Sequence, residues 1–374
     1  MFIESLKLKN YRNYEEVEIN FDKNINIIYG DNAEGKTNLL EAIYMCSTSK
    51  SHKNVKDNEI INFQKEEAHI KLIFYNVLET INKNEFKKRF IDIQLNKESK
   101  KGIAIDGVKI DKVSDFLGLF NVVMFAPEDL NIIKDGPSAR RKFLDIEICK
   151  IDKMYVSFLA NYNKVLNQRN ALLRDIKQQT GNNKEVLISM IDSYDEQIIK
   201  YGAEIIKKRR KNIEELDKKI NDIHYSISGK REKVYINYES IDEREYRELL
   251  TETRELDLKN QFTFVGPHRD DISFVIDEKD IRKFGSQGQK KTAAISLKLS
   301  ELEILREKNN EPPVLLLDDV FSELDENRQK TLVQNLAGIQ TIITCTGMKK
   351  NIYDILNPNK IFKVSKGEII TVNI

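Results

Sequence analysis

The strongest constraint on the fold is a glycine-rich segment at residues 30–37, which reads G-D-N-A-E-G-K-T. A short apolar stretch at 25–29 precedes it, and apolar residues at helical spacing follow it as far as residue 44. A loop between a strand and a helix N-terminus binds phosphate because its backbone N–H groups converge on the anion. A chance glycine turn seldom has this strand before it and this helix after it. We therefore predict a nucleotide-phosphate site here.

A second motif lies far along the chain, where residues 314–319 read V-L-L-L-D-D. Asp318 is predicted to end a buried strand, a position from which one carboxylate can hold Mg²⁺. Asp319 would then lie near the γ-phosphate and orient or deprotonate the attacking water. The alternative is an acidic turn that caps a helix beginning near residue 325. Because a compact phosphate-loop domain brings its two motifs together, the residues between them form a large insertion.

A third segment, G-S-Q-G-Q at residues 285–289, precedes a predicted helix at 290–306. Small residues and a hydroxyl at a helix N-terminus favour an anion site. The alternative is an ordinary helix N-cap. Since residues 30–37 already supply one phosphate site, this segment suggests contact with the γ-phosphate of a nucleotide bound to another subunit.

The apolar patterns between these motifs predict both sheet and helix. Alternating residues indicate strands, and Asp106-Gly107 is a strong type I′ hairpin signal. A long charged helical pattern with one break indicates an antiparallel helical hairpin with arms of about forty residues. The expected elements are strands at 2–8, 17–21 and 25–29, a helix at 36–44, antiparallel strands at 68–75, 87–95, 103–105 and 108–110, a buried strand at 121–126, a helical hairpin at 138–226 broken at 180–183, strands with a helix near 242–255 at 234–276, and alternating helices and strands at 285–374.

The composition excludes several classes of protein. The chain has 374 residues, 61 of them Lys or Arg and 60 Asp or Glu, so nucleic acid could bind only at a local patch. The three cysteines have no metal-binding spacing and indicate reduced thiols. The N-terminus lacks a signal-peptide pattern, and no apolar stretch is long enough for a membrane span. We therefore expect a cytoplasmic protein with no membrane partner.

The order of these motifs resembles ATPase heads of the ABC type, in the branch with SMC and Rad50 proteins. Within that branch, the chain resembles the RecF family of bacterial recombination mediators over essentially its full length. The resemblance implies an α/β fold: an ABC-type ATPase head built from both chain ends, with mixed sheets and the phosphate loop, and an inserted helical arm without a long coiled coil. We expect the head at 1–137 and 261–374 and the arm at 138–260. The resemblance is carried by L-K-N-Y-R-N-Y at 8–14, F-A-P-E-D-L at 125–130, residues 138–145, G-P-H-R-D-D at 266–271, and the S-E-L-D at 322–325 that follows the aspartate pair.

The resemblance also implies roles for single residues, with ATP and Mg²⁺ as cofactors. Asp319 occupies the position of a catalytic Glu, and Glu128 lies in a coupling loop where most relatives have Gln. Thr344 or Thr346 would replace the sensing His of many relatives. The expected catalytic residues are Asp319, Lys36 and Glu128; the expected ATP contacts are Arg12, Gly30, Asn32, Gly35, Lys36, Thr37, Asn38, Ser286, Gly288 and Gln289; and the expected Mg²⁺ ligands are Thr37 and Asp318.

The implied activity is a weak, DNA-stimulated ATPase that dimerises with ATP and grips double-stranded or gapped DNA. The implied partners are a second copy of the chain, RecR and, through it, RecO and the RecA recombinase. The alternatives are an ATP-binding scaffold that never hydrolyses and a transporter ATPase subunit, although such subunits lack an inserted arm of this size. His268 could contact phosphate or DNA, or could order a turn. The candidate DNA contacts are Lys50, Lys53, Lys56, Lys207, Arg209 and Arg210, although the basic run at 207–211 could also be a solvated helix face.

Overall fold

The computed structural model describes residues 1–53, 55–77, 86–180, 182–334, 336–347 and 350–372. The chain forms two compact units. The first contains Met1–Asp129, Ser226–Lys230 and Ile295–Ile374, and the second contains Leu130–Tyr225 and Arg231–Ala294. The second unit thus includes residues 261–294 besides most of the helical insertion. The division into a head at 1–137 and 261–374 and an arm at 138–260 stays a prediction.

The N-terminal part of the first unit contains most of its strands. A six-stranded antiparallel sheet has the order β2-β1-β4-β5-β6-β7. Asp106 and Gly107 both have positive φ, 51° and 83°, which confirms the predicted type I′ turn between β6 and β7. The elements are β1 (Phe2–Tyr11), β2 (Tyr14–Asn20), β3 (Ile25–Tyr29), α1 (Lys36–Thr48), β4 (Glu67–Val77), β5 (Phe86–Asn96), β6 (Gly102–Ile105), β7 (Val108–Lys109), α2 (Val113–Phe116) and β8 (Val122–Phe125).

The second unit combines long helices with a small antiparallel sheet, whose strand order is β11-β10-β9. The predicted break at 180–183 lies between α5 and α6, and its Gly181 is outside the described residues. The elements are α3 (Leu130–Lys134), α4 (Pro137–Ile151), α5 (Lys153–Gln178), α6 (Asn182–Ile227), β9 (Tyr235–Glu239), α7 (Tyr246–Glu252), α8 (Arg254–Asn260), β10 (Asp271–Ile276), β11 (Lys279–Asp280) and α9 (Ile281–Phe284).

Two helical predictions need correction. The first arm is two helices rather than one, because the Asp152 carboxylate accepts bonds from the N–H groups of Met154 at 2.9 Å and Tyr155 at 3.0 Å. An aspartate that satisfies these N–H groups starts a new helix. The helix predicted near 242–255 is also two helices, α7 and α8, which meet at Thr253.

The last third of the chain completes a mostly parallel sheet in the first unit. Its order is β15-β14-β3-β13-β12-β8, and only the outer pair β14–β15 is antiparallel. Ligands bind beyond the carboxyl ends of parallel strands, so β3, β13, β12 and β8 offer one common edge. The elements are α10 (Gln287–Asn309), β12 (Val314–Asp318), α11 (Glu326–Gln334), β13 (Thr341–Cys345), α12 (Lys350–Leu356), β14 (Lys360–Ser365) and β15 (Glu368–Val372).

Helix α1 is anchored in the core of the first unit. Leu39, Leu40 and Ile43 are fully buried in one cluster with apolar residues of both sheets, such as Leu72 and Ile342. Burying each such side chain contributes about 1.5–3 kcal/mol, so the start of α1 has a fixed position. The cysteines are buried thiols. No described helix is both long enough and apolar enough to cross a lipid bilayer.

Candidate nucleotide-binding site

The glycine-rich loop ends where α1 begins, at Lys36. Gly35 has φ +110°, and a Cβ atom there would lie 2.5 Å from the Asn13 side chain and 2.8 Å from the Tyr14 hydroxyl. Only glycine fits this backbone and this space. The Tyr14 hydroxyl donates to the Gly35 carbonyl at 3.0 Å, so a residue of β2 fixes the end of the loop. The N-terminus of α1 also carries the positive end of the helix dipole, which favours a bound anion.

The Lys36 ammonium lies inside the loop. Its Nζ donates to the carbonyl oxygens of Gly30 and Asp31, both at 2.7 Å, and the residue is only 7% exposed. A buried cation held by carbonyl dipoles attracts a phosphate strongly, because little water is left to screen the charge. The loop therefore combines converging N–H groups with one fixed positive charge.

The carboxylate of Asp318 meets the loop directly. Its Oδ1 accepts a bond from the Thr37 hydroxyl at 2.9 Å, although the two residues are 281 positions apart in the chain. Hydroxyl and carboxylate oxygens are ligands that suit Mg²⁺, which usually also takes phosphate oxygens and water. Within the described ranges no three His, Cys, Asp or Glu side chains gather at one metal site. Thr37 and Asp318 thus fit a Mg²⁺ ion that depends on the nucleotide for further ligands.

Asp319 turns the chain away from β12. Its φ of +52° lies in the left-handed region, which is strained for a residue with a side chain and is often found at functional sites. Its N–H donates to the Thr344 hydroxyl at 3.1 Å. Helix α11 is capped instead by Asp325, whose carboxylate accepts from the Arg328 N–H at 3.0 Å. The alternative in which 318–319 cap the helix beginning near residue 325 is therefore wrong, although Asp319 precedes a short 3₁₀ turn at Val320–Glu323 without a side-chain cap.

Glu128 follows β8, the neighbour of β12, in a short 3₁₀ turn. It is exposed at the same sheet edge. The next residue, Asp129, accepts from the Ala126 N–H at 2.7 Å, and burial raises the pKa of its carboxyl to about 6. Of these two acids, Glu128 is the more exposed.

Arg12 is held by a buried carboxylate. Its Nε and Nη2 donate to Glu41 at 2.9 and 2.7 Å, and its Nη1 donates to the Glu59 carbonyl at 3.0 Å. Ser51 also donates to Glu41, at 2.5 Å. Burial works against the charged carboxylate, but the bonds from Arg12 and Ser51 prevail and hold the pKa of Glu41 below its usual range. Contact between Arg12 and phosphate stays a prediction.

Two predicted asparagines lie in or beside the loop. Asn32 is exposed within it. Asn38 Nδ2 donates to Asn13 Oδ1 at 2.9 Å, and Asn13 Nδ2 donates to the Glu34 carbonyl at 2.9 Å. Asn38 thus ties the start of α1 to the turn between β1 and β2.

The segment at 285–289 forms a capping box. Gln289 N–H donates to the Ser286 hydroxyl at 3.2 Å, and Ser286 N–H donates to Gln289 Oε1 at 2.8 Å. Gln289 Nε2 also donates to Glu232 at 3.0 Å. The N-cap alternative is therefore correct for the single chain. Ser286 is nevertheless exposed, with Gly288 half-buried beside it, and contact with a partner's nucleotide stays a prediction.

Comparison with known proteins shows the family to which the chain belongs. The family model of the RecF/RecN/SMC N-terminal domain matches residues 2–369. The chain is 50% identical to the DNA replication and repair protein RecF of Lachnospira eligens and 49% identical to that of Agathobacter rectalis, with 100% of every chain covered. The chain belongs to the RecF family.

Solved structures confirm the RecF-family fold. A structure of the recombination mediator protein RecF with ATP, from the RecFOR pathway, is 37% identical, has a TM-score of 0.90, and covers 100% of this chain and 98% of its own. An Smc head domain from Pyrococcus furiosus, 17% identical with a TM-score of 0.56 and 96% of its chain covered, shares the fold. The predicted α/β ATPase head with mixed sheets and a helical arm is confirmed.

The basic candidates in this RecF-family chain lie in different surroundings. Lys50, Lys56 and Lys207 are exposed, and Lys53 is half-buried. Arg210 is partly exposed but donates to the Ile241 carbonyl at 3.2 Å and lies over the Tyr238 ring.

Arg209 needs correction as a DNA contact. It is 2% exposed. Its guanidinium donates to Asp145 at 2.8 Å, to Asp270 at 3.0 Å and to the Pro267 carbonyl at 2.6 Å. DNA could reach it only by breaking this buried network, so Arg209 serves the packing of the second unit.

His268 orders a turn, which is the second of the two roles predicted for it from the sequence. One ring nitrogen is 2.6 Å from the Tyr162 hydroxyl and the other is 2.9 Å from the Thr263 carbonyl. The carbonyl only accepts, so the second nitrogen carries the proton and the first accepts from tyrosine. Burial lowers the pKa of His268 to about 4.

Sequence reasoning missed Glu41 and His52. Glu41 lies one turn beyond Thr37 on α1, and an acid among buried apolar positions was the available signal. The His52 ring packs edge-on against Tyr44, with the centroids 5.8 Å apart. Burial lowers the pKa of His52. The negative charges of Glu41, Glu128 and Asp318 act in the opposite direction but are weaker. No spacing in the sequence links His52 to these acids.

Proposed function

We propose that this RecF-family protein binds Mg²⁺·ATP between its glycine-rich loop and the end of β12, and couples slow hydrolysis to DNA binding in replication and recombinational repair. The contact between Thr37 and Asp318, at 2.9 Å, is the observation that carries the proposal. It joins a phosphate cradle to a carboxylate at the carboxyl edge of a parallel sheet, which is where nucleotides bind in such folds. The solved RecF relative with ATP supports the same ligand.

Each residue of the site has a proposed part. Backbone N–H groups near Gly30, Asn32 and Gly35 cradle the phosphates, and Lys36 neutralises the β- and γ-phosphates. Bound Mg²⁺ would neutralise further phosphate charge, and Thr37 and Asp318 would hold it. Asp319 orients or deprotonates the attacking water, with Glu128 as the next candidate. Arg12, from the turn between β1 and β2, and Asn38, from α1, complete the ATP contacts.

The second part of the proposal is a site shared between two copies. Ser286, Gly288 and Gln289 would bind the γ-phosphate of the partner's ATP, at the N-terminus of the 23-residue helix α10. The exposed Ser286 supports this. A lone subunit would then hydrolyse poorly, because half of each site belongs to its partner.

The closed dimer would grip double-stranded or gapped DNA through backbone phosphates, without reading sequence. The proposed contacts are Lys50, Lys53, Lys56, Lys207 and Arg210. The RecFOR pathway named for the solved relatives supports RecR as partner, with RecO and RecA reached through it. The site of action would be the cytoplasm.

The mass of the protein in solution tests the shared site. We expect a dimer with Mg²⁺·ATP, and a monomer with ADP or without nucleotide. Asp319→Asn keeps the side-chain shape but removes the basic carboxylate, so this variant should stay dimeric and remain longer on DNA. An equal mass in all nucleotide states, for both proteins, would contradict the proposal.

A second candidate is an ATP-binding scaffold that never turns over. It is favoured by Asp319, a shorter carboxylate on a strained backbone where most ABC ATPases have Glu. Phosphate release with and without gapped DNA separates the two. We expect slow release that DNA stimulates, and none from Asp319→Asn.

A further inference from the structure

Thr344 lies between the two halves of the nucleotide site. Strand β13 stands between β3 and β12 in the sheet. In the register of these strands, Thr344 pairs with Asp318 on one side and with Ile28, just before the glycine-rich loop, on the other. It is fully buried. Among the described strands, β13 alone lies between β3 and β12.

The hydroxyl of Thr344 bonds both aspartates at once. It donates to Asp318 Oδ1 at 2.6 Å and accepts from the Asp319 N–H at 3.1 Å, an N–H that also donates to the Thr344 carbonyl at 3.2 Å. A hydroxyl has one proton, and the other acceptor near it among the described residues, the Leu317 carbonyl, is farther away at 3.5 Å. Its proton therefore points at Asp318.

We propose that Thr344 is a positioning residue that aims Asp318 at the metal. This inference rests on the proposed function. Asp318 Oδ1 also accepts from the Thr37 hydroxyl, the group that would share the metal with it. Thr344 bonds the same oxygen from β13, so hydroxyls of two different elements hold this carboxylate. Partners behind a metal ligand commonly set metal affinity in this way.

This role differs from that of a sensing histidine, which touches the nucleotide itself. Thr344 is buried and its hydroxyl is committed to the two aspartates, so it acts through them. Thr346, in contrast, is exposed and remains the better candidate for direct contact with a ligand.

The test compares ATP affinity with Mg²⁺ and with EDTA, using a fluorescent ATP analogue. Thr344→Val removes the hydroxyl at nearly constant volume, and Thr344→Ser keeps it. The matched control is Thr341→Val, because Thr341 is equally buried on the same strand but bonds only outside the site, to the Ile339 carbonyl at 3.2 Å. The Mg²⁺ effect is the ratio of ATP affinity with Mg²⁺ to ATP affinity with EDTA. We expect Thr344→Val to reduce this ratio about 10-fold and to leave the affinity in EDTA unchanged. Thr344→Ser and Thr341→Val should keep the ratio.

The outcomes separate this inference from the proposed function. If folded Thr344→Val keeps the whole Mg²⁺ effect, or Thr341→Val loses as much, the inference is overturned and the ATP site stands. If the wild type shows no Mg²⁺ effect, the proposed site itself fails. Urea unfolding checks each variant. Should Thr344→Val not fold, Thr344→Ser still decides, because a folded serine variant without the Mg²⁺ effect would overturn the inference.

Discussion

Single side chains in this site carry more than one function each. The Lys36 ammonium donates to two carbonyl oxygens of its own loop, those of Gly30 and Asp31, both at 2.7 Å. Asp318 likewise accepts from hydroxyls on both sides, Thr37 and Thr344. The site is therefore organised in advance, and a ligand need order little of it.

Lys36→Ala should weaken ATP binding severely. It removes the buried ammonium, and bonds to a charged group contribute about 1.5–3 kcal/mol each. We expect affinity to fall about 100-fold or more in a fluorescent-nucleotide titration. Lys36→Arg is the control, since it keeps the charge but changes its geometry. It should bind ATP while hydrolysing it more slowly. If Lys36→Ala bound ATP as tightly as the wild type, the assignment of this loop as the phosphate site would be wrong.

His268 should make stability depend on pH in the acid range. Burial lowers its folded pKa from 6.5 to about 4, so its contribution is complete above pH 6.5 and is lost as the pH falls through 4. The difference corresponds to at most about 3 kcal/mol in the free energy of unfolding.

Urea unfolding between pH 7.5 and pH 4 would measure the effect of His268. His268→Gln should flatten the pH dependence even though it lowers stability overall. Equal slopes in wild type and His268→Gln would refute the assignment.

Helix α6 shows how one element can mix surface and core in a single basic run. Its 46 residues turn successive side chains by about 100° each. Lys207 therefore faces solvent, whereas Arg209 enters the buried network with Asp145 and Asp270. Neighbouring basic residues of one helix therefore have different roles, because each faces a different environment and meets different packing partners.

The variants Arg209→Ala and Lys207→Ala should separate these roles. Arg209→Ala leaves two aspartates without their cation, which costs about 3–5 kcal/mol of stability. Lys207→Ala should leave stability unchanged, weaken DNA binding slightly and reduce the salt dependence by about one phosphate contact. Chemical denaturation and DNA titrations at several salt concentrations measure both. A stable Arg209→Ala protein with a selective DNA defect would restore Arg209 as a DNA contact.

In the whole molecule, the proposed activity depends on two copies meeting. The capping box of Ser286 and Gln289 keeps the start of α10 in a defined conformation without a partner. A preformed segment of this kind can dock on a partner's phosphate at little entropic cost.

Ser286→Arg tests this assembly. The bulky cation blocks docking, while the glycine-rich loop of the same chain is untouched. ATP affinity of the monomer should stay near normal, whereas dimerisation, hydrolysis and stable DNA binding should all be lost.

A mixture of Ser286→Arg with Lys36→Ala gives the sharper result. One interface of the mixed dimer pairs an intact loop with an intact Ser286 segment, and the other is doubly broken. Partial dimerisation only in the mixture, by mass measurement, would support the shared site. If Ser286→Arg alone dimerised with ATP and hydrolysed it normally, Ser286 would be only a helix cap and the shared site would be wrong.

Features that depend on neighbours in the chain could be predicted without a structure. The strand–loop–helix around residues 30–37, the apolar strand before Asp318 and the Asp106-Gly107 hairpin all formed as expected. Helix boundaries were harder, since Asp152 divides one predicted arm by capping α5. Local signals succeed where the backbone's own hydrogen bonds and dihedral preferences decide the conformation.

Features that depend on neighbours in space came only with the fold. The order β3-β13-β12-β8 places Thr344 between the loop and the aspartates, and it brings Glu128 to the same edge. The burial of Arg209, and of Glu41 beside Arg12, likewise follows from packing. Periodicity in a sequence says that a side chain is buried, but not which side chain it meets. That choice belongs to strand order and register, which depend on contacts between residues hundreds of positions apart in the chain.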